Sequence, residues 1–273
     1  MKITLAHSPD ADDAFMFYGL AAGKVNTGDV VVEHKLQDIQ TLNEWALEGK
    51  YEITALSFHA YPYVQDQYAL LSTGASFGEK DYGPMVVKRP ETAEITTIAV
   101  PGVKTTAFLL LKLWNPEIDF KVVPFDQIIE AVVEKEVDAG MIIHEGQLFF
   151  QDFGLEVVQN FGRWWHDLHQ LPLPLGGNAV RRNLPKELQH KIAGWIKASI
   201  HYSLEHREQA VKHAMQYGRG LSVARADEFI GMYVNERTLE MGKEGKKAVQ
   251  LLLDLGYEEG LILNKPKLDW ISN

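Results

Sequence analysis

The feature that most constrains this chain is the regular alternation of short apolar segments and helical patterns along its first sixty residues. Strands are predicted for the apolar runs at 3–6, 30–34 and 53–56, and helices for the intervening segments at 9–22 and 40–48. Strands that alternate with helices need crossover connections between neighbouring strands. The pattern therefore predicts an α/β fold with a largely parallel sheet.

A second series of the same kind begins near residue 85. Strands are predicted at 85–87, 97–100, 120–123 and 139–143, and helices at 107–113 and 125–135. The proline-rich stretch that follows, 171–177, is predicted to be a crossover strand or a linker.

After residue 184 the pattern changes to helices alone. These are predicted at 185–204, 207–217, 224–234 and 244–255. In two-lobed α/β binding proteins the chain leaves the first lobe, builds the second and returns to complete the first. We therefore predict a discontinuous first lobe (1–90 plus 178–273), a second lobe (91–177) and a ligand cleft between them.

Composition excludes several classes of protein. Lys and Arg number 27 and Asp and Glu 37, which gives 27 − 37 = −10, so nucleic acid is not expected as the main partner. The absence of cysteine excludes disulfides and thiolate metal sites. The N-terminus lacks the apolar core of a signal peptide, and no apolar run is long enough for a transmembrane helix. A cytoplasmic protein without membrane insertion is expected, and its oligomeric state is open.

Three predicted strand-to-helix junctions carry hydroxyl side chains, at Ser8, Ser57 and Thr105-Thr106. Free N–H groups at a helix N-terminus bind carboxylate or phosphate, and the carboxyl ends of parallel strands are where ligands bind in open sheets. Each junction alone is equally typical of an ordinary helix N-cap. Because the three are divided between two lobes, we predict that the cleft binds a small anionic ligand and is lined by Ser57, Thr105 and Thr106 together with His144.

The acidic run Asp10-Ala11-Asp12-Asp13 has two interpretations. Carboxylates bind hard cations, but acidic residues in a first helical turn are also favoured by the helix dipole. We adopt the dipole interpretation for Asp10 and Asp12 and leave Asp13 open. His166 and His169 have no fitting third ligand, so no metal is predicted.

His144 is the titratable residue of greatest interest, because it directly follows the buried strand predicted at 139–143. A partly buried, neutral imidazole at that edge is suited to accept a proton. The alternative is a satisfied, hydrogen-bonded structural histidine. The aromatic pairs Phe149-Phe150 and Trp164-Trp165 are interpreted as either pocket lining or core. No dinucleotide, P-loop or serine-hydrolase motif occurs, so nucleotide binding and serine-hydrolase activity lack support.

A series of short motifs resembles one known family over nearly the whole chain. The motifs are Ser8-Pro9 with Asp13 and Phe15, Thr41-Leu42-Asn43, 45–49, Leu56-Ser57, 100–102 with 105–107, 142–145, Trp164-Trp165, 171–176, Arg181-Arg182 and 233–235. Their order and spacing are similar to those of the 1,4-dihydroxy-6-naphthoate synthases of the futalosine route to menaquinone.

This resemblance implies a periplasmic-binding-protein-like type II fold in a cytoplasmic, cofactor-free lyase. The reaction implied converts cyclic dehypoxanthine futalosine to 1,4-dihydroxy-6-naphthoate with release of dihydroxyacetone. The family's proposed general base falls on His144, its ligand-contacting strand end on Ala55-Leu56-Ser57, and its paired threonines on Thr105-Thr106. The chain departs from the family pattern Ser-Pro-Cys-Pro-Asn-Asp-Thr-Phe at 8–15, where it has additional acidic residues.

Two other functions fit the same architecture. A solute-binding protein of a transporter shares the fold without chemistry, although the lack of an export signal counts against it. The chorismate dehydratase of the same pathway shares the architecture too, but the Ile142-Ile143-His144 motif favours the synthase. Fold alone does not separate these functions.

Overall fold

The computed structural model describes residues 1–217 and 222–272. Its strands, in chain order, are β1 (Lys2–His7), β2 (Val31–Leu36), β3 (Ile53–Ser57), β4 (Tyr68–Leu71), β5 (Ser76–Gly78), β6 (Met85–Lys88), β7 (Thr97–Val100), β8 (Asp119–Val122), β9 (Ala139–Ile142), β10 (Glu156–Asn160), β11 (Leu173–Arg181) and β12 (Trp270–Ile271). Its α-helices are α1 (Ala11–Met16), α2 (Tyr18–Ala21), α3 (Ile39–Leu47), α4 (Tyr61–Val64), α5 (Thr106–Trp114), α6 (Ile128–Val133), α7 (Phe161–His169), α8 (Lys186–Glu205), α9 (Arg207–Ala214), α10 (Val223–Tyr233), α11 (Glu236–Leu239) and α12 (Gly242–Glu258). Short 3₁₀ turns lie at Phe58–Ala60, Phe125–Gln127, Glu145–Leu148 and Phe150–Phe153.

The strands form two mixed sheets, which confirms the predicted α/β class. The first sheet has the order β12-β4-β11-β3-β1-β2, with β5 paired to β11. Its β1 pairs in parallel with both β2 and β3, as the crossover pattern predicts, whereas β11 runs antiparallel to its neighbours. The second sheet has the order β10-β6-β9-β7-β8, with a parallel centre formed by β9, β7 and β8.

The strand pairings differ from the predicted lobe boundaries at two places. Strand β6 belongs to the second sheet, although the first lobe was predicted to extend to residue 90. Strand β11 belongs to the first sheet and includes 173–177, which was predicted to end the second lobe. We propose two lobes built on 2–78 plus 173–271 and on 85–160. The predicted first lobe also covers 218–221 and 273, which lie outside the described residues.

The C-terminal helices pack against the first sheet. Ile192 and Ile196 of α8 are buried in the same apolar cluster as Ile3 and Leu5 of β1. The amphipathic pattern of 185–204 predicts this buried stripe, and α8 spans almost the same residues. None of the helices described is long and apolar enough to cross a membrane.

The helix predicted at 9–22 is two helices. The Ser8 hydroxyl accepts a hydrogen bond from the Asp10 N–H (2.8 Å), so the chain makes a turn there and α1 begins only at Ala11. At Phe17 the backbone leaves helical geometry (φ −94°, ψ 4°), and its ring packs on the His7 ring at 4.6 Å. Burial of this aromatic ring accompanies the break between α1 and α2.

His7, which is buried, and His34, which is half-buried, form a pair at the carboxyl ends of β1 and β2. The His7 Nδ1–H donates to the carbonyl of Ser8 (2.8 Å), so His7 Nε2 is the acceptor for the His34 Nδ1–H (3.0 Å). Burial lowers the pKa of His7 to about 3 and that of His34 to about 4. Both rings are therefore neutral in the folded protein near neutral pH.

We expect acid to weaken the fold through this pair. Below pH ~6.5 the unfolded chain protonates these histidines while the folded protein does not, so their contribution to stability is lost as pH falls from ~6.5 towards 4. A His34→Asn variant keeps an N–H donor for His7. Urea unfolding measures the free energy of unfolding of the wild type and of this variant. We expect the difference between the two proteins, in favour of the wild type, to be smaller by about 2 kcal/mol at pH 4.5 than at pH 7. The raised pKa of Asp13 acts in the opposite direction but is common to both proteins. An advantage that does not change with pH would contradict the prediction.

Candidate active site

A cavity lies where the carboxyl ends of β1 and β3 meet the N-terminus of α5 and the end of β9. Its volume is about 130 Å³, and the empty space including open solvent is about 800 Å³, so in this structure the cavity is smaller than most small-molecule sites. The predicted binding residues all line it: Ala55, Leu56, Ser57, Thr105 and Thr106. The three hydroxyl-bearing junctions therefore share one cavity, because Ser8 lines it as well.

Ser57 is held in place by a buried amide. The Asn43 Nδ2–H donates to Ser57 Oγ (3.1 Å), and Asn43 Oδ1 accepts from the Ser57 N–H (2.9 Å). Although Ser57 precedes the turn at 58–60, its side chain caps nothing. Its hydroxyl hydrogen is thus available to a ligand in the cavity. Asn43 also donates to the carbonyl of Lys104 (3.3 Å), which links the first sheet to the loop before α5.

The two threonines offer backbone groups to a ligand instead of hydroxyl hydrogens. Thr105 is the N-cap of α5: its Oγ1 accepts from the Phe108 N–H and donates to the Gly102 carbonyl (2.8 Å). The Thr106 hydroxyl donates to the carbonyl of Leu175 (2.6 Å). Both hydroxyl hydrogens are therefore used. The N–H groups of Thr106 and Ala107 have no partner within the helix and carry its positive dipole end, so they are the donors for an anion here.

His144 does not line the cavity, although it lies next to Ile143, which does. The residue is buried, with 6% of its surface exposed. The Nε2–H donates to the carbonyl of Phe125 (2.9 Å), and Nδ1 accepts from the Gly146 N–H (2.9 Å), which caps the turn at 145–148. The expectation that its ring faces the cleft is not met in this structure, because two backbone groups hold the ring within the wall. Its role as a general base stays a prediction.

Three carboxyl groups of the acidic run line the cavity: those of Asp10, Asp12 and Asp13. Asp13 Oδ2 accepts a hydrogen bond from the Ser8 N–H (2.9 Å). Burial raises the pKa of Asp13 to about 7, and burial together with the neighbouring carboxyls raises the pKa of Asp12 well above its usual value. The dipole interpretation of Asp10 and Asp12 is incomplete, because these side chains face the cavity as well as α1.

Several further residues line the cavity without having been predicted as site residues. The Tyr233 hydroxyl donates to Gln147 Oε1 (2.8 Å), and Phe229 lies one helical turn before Tyr233 on α10. Asn178 donates through Nδ2 to the carbonyl of Gly74 (2.7 Å). The Asn178 Oδ1 has no hydrogen-bond partner in the described part of the chain. The sequence pointed to 233–235 only through the family resemblance, since apolar periodicity marks α10 residues simply as core.

The aromatic pairs belong to the core. Trp165 is fully buried, and its Nε1–H donates to the carbonyl of Pro172 (3.1 Å), while Phe150 is buried in the second lobe's apolar cluster. Neither lines the cavity. Within residues 1–217 and 222–272, no three His, Asp or Glu side chains are arranged to hold a metal ion.

Comparison with known proteins identifies relatives along almost the whole chain. The chain is 37% identical over 267 residues to a 1,4-dihydroxy-6-naphthoate synthase of Thermus thermophilus, with 97% of each chain covered. It is 34% identical over 268 residues to the enzyme of the same name from Streptomyces coelicolor, with 95% of this chain and 94% of that protein covered.

Solved structures give a consistent result for the fold. An X-ray structure of an Archaeoglobus fulgidus protein is 46% identical, with a TM-score of 0.91, and the match covers 96% of this chain and 98% of that one. An alkanesulfonate-binding protein of Xanthomonas axonopodis, bound to MOPS, has a TM-score of 0.72 at 14% identity, with 100% and 98% covered. A Candida albicans protein with the generic periplasmic binding protein fold has a TM-score of 0.66 at 12% identity, with 98% and 97% covered.

The last two likenesses concern the fold alone, and they confirm the predicted periplasmic-binding-protein-like architecture. The family model described as menaquinone biosynthesis matches residues 3–258. Together with the relatives at 34–37% identity, this match shows that the chain belongs to the menaquinone biosynthesis family.

Proposed function

We propose that this chain is a 1,4-dihydroxy-6-naphthoate synthase, a carbon–carbon lyase acting on cyclic dehypoxanthine futalosine and releasing dihydroxyacetone. The observation that carries the proposal is the similarity to two enzymes of that name across at least 94% of every chain compared. A cytoplasmic location is part of the proposal, as the family resemblance implies.

The cavity supports this function through its hydrogen-bond donors. The substrate carboxylate would bind the N–H groups of Thr106 and Ala107 at the positive end of α5 and the hydroxyl of Ser57. Ala55 and Leu56 contribute apolar wall. This arrangement suits a ligand with an apolar body and an acidic end, such as an aromatic carboxylate.

His144 is the proposed general base. In this role the Nδ1 lone pair must be released by the Gly146 N–H, since that bond now occupies it. A small movement of the turn at 145–148 on ligand binding would release it. The shift would place a neutral imidazole next to Ile143 at the cavity edge, where it would accept a substrate proton.

The decisive experiment is to incubate the purified protein with cyclic dehypoxanthine futalosine and to follow 1,4-dihydroxy-6-naphthoate and dihydroxyacetone by mass spectrometry. Formation of both products in equal amounts is expected. Tight binding without turnover would favour a solute-binding protein, and loss of water from chorismate would favour the sister dehydratase. Either of these outcomes would contradict the proposal.

A further inference from the structure

The Asp13 carboxyl has one oxygen bonded and one free. Oδ2 accepts the Ser8 N–H at 2.9 Å. Oδ1 has no hydrogen-bond partner among the described residues, and the side chain lines the cavity. Because a bonded N–H occupies Oδ2, a proton on this carboxyl resides on Oδ1. An acid group with a free O–H inside a ligand cavity is a hydrogen-bond and proton donor.

The surroundings of Asp13 favour this protonated form. On its own helix it faces the carboxyls of Asp10 and Asp12, and from the turn after β9 Glu145 approaches, with its Oε1 accepting the Ala11 N–H (3.3 Å). From α10 the group facing these carboxyls is the un-ionised phenol of Tyr233. In the described part of the chain, no Lys or Arg forms an ion pair with Asp12, Asp13 or Glu145.

We propose that Asp13 is the general acid of the reaction and transfers the Oδ1 proton to the substrate oxygen that becomes negatively charged when the carbon–carbon bond breaks. The inference rests on the proposed function and adds a second proton-transfer group to it. It is favoured over a role for Asp13 at the helix N-terminus alone because that role, acceptance of the Ser8 N–H, uses only Oδ2, while the side chain also lines the cavity.

The step balances without an oxidant or reductant. A base takes the proton of a substrate hydroxyl, and the oxygen keeps the electron pair to form the C=O of the departing ketone. The electron pair of the broken carbon–carbon bond forms the C=C bond of an enolate. The enolate oxygen then receives the proton of Asp13. The products are a ketone and an enol, and the enol is a phenol once the ring is aromatic. Solvent then returns the proton to Asp13.

The pH dependence of kcat/KM tests this assignment, because it reports the essential acid of the free enzyme. Burial raises the pKa of Asp13 to about 7, so wild-type kcat/KM should fall above about pH 7. Asp13→Asn retains an acceptor for the Ser8 N–H but has no proton to transfer. We expect its kcat/KM at pH 6.5 to be lower by ~10²-fold. The downward break in the pH profile of kcat/KM near pH 7 should be absent from this variant.

Two more variants make the test specific. Asp10→Asn removes a charge that raises the pKa of Asp13. The break in the pH profile of kcat/KM should therefore lie at a lower pH in this variant than in the wild type. Asp29→Asn, an exposed carboxyl before β2, is the control and should behave as the wild type.

Several outcomes would overturn the assignment. The first is that Asp13→Asn has the kcat/KM of the wild type. The second is that Asp13→Asn is slow but its pH profile of kcat/KM still breaks near pH 7. The third is that the break in the pH profile of Asp10→Asn stays at the wild-type pH. The Asp10→Asn result decides the matter even where Asp13→Asn does not fold. A wild-type protein without turnover would overturn the proposed function and this inference with it, whereas an active wild type with any of the outcomes above overturns the inference alone.

Discussion

Replacing His144 with alanine is expected to lower kcat by about 10²–10⁴-fold, the usual loss when a general base is removed. The affinity for substrate should change much less, because the donors at the N-terminus of α5 and the Ser57 hydroxyl are untouched. Steady-state kinetics and calorimetric binding on one preparation measure the two quantities. The melting temperature must be recorded as well, since His144 bonds the backbone of Phe125 and Gly146.

Those two bonds make a matched control necessary. His144→Asn retains a side-chain oxygen that can accept the Gly146 N–H, and it removes the imidazole. If His144 is the base, the asparagine variant should be as slow as the alanine variant but more stable. If the residue only caps the turn at 145–148, the asparagine variant should be both stable and active. Near wild-type turnover in a folded His144→Asn protein would end the catalytic assignment.

A negative charge placed beside the proposed carboxylate position should have a comparably large effect. We expect Ser57→Asp to lower kcat/KM by about 10²–10³-fold relative to Ser57→Asn. Two unit charges about 4–5 Å apart repel by roughly 3–4 kcal/mol at an effective dielectric constant of about 20. The two variants have side chains of nearly equal size, so their difference isolates charge from the loss of the Asn43–Ser57 hydrogen bond.

The pH dependence of that difference provides a further check. A buried carboxyl near Asp12 and Asp13 is partly protonated at neutral pH, so the gap between the two variants should widen as pH rises. Initial rates from pH 6 to 8.5 would measure it, with melting curves to verify folding. Equal kcat/KM values for the two variants across this range would show that no anionic group of the substrate binds near Ser57.

Most of the fold was predictable because apolar periodicity is a local property of the chain. The predicted strand at 97–100 coincides with β7, and α8 differs from its predicted range by one residue at each end. Elements without a clear period were missed: β4, β5, β10, α7, α11 and β12. In β4 every residue is buried, so its sequence shows no alternation between an exposed and a buried face.

The sequence by itself determined the order of strands and helices, the class of fold and, through a family resemblance, the segments that form the cavity. Only the tertiary structure decided what each group offers a ligand. The hydroxyl hydrogens of Thr105 and Thr106 are taken by carbonyls, both ring nitrogens of His144 are bonded to backbone, and one oxygen of Asp13 has no hydrogen-bond partner among the described residues. The Thr106–Leu175 and His144–Phe125 bonds join segments far apart in the chain, so packing sets them, whereas the Thr105–Gly102, His144–Gly146 and Ser8–Asp13 bonds are local. Burial beside other carboxyls likewise sets the charge on Asp13.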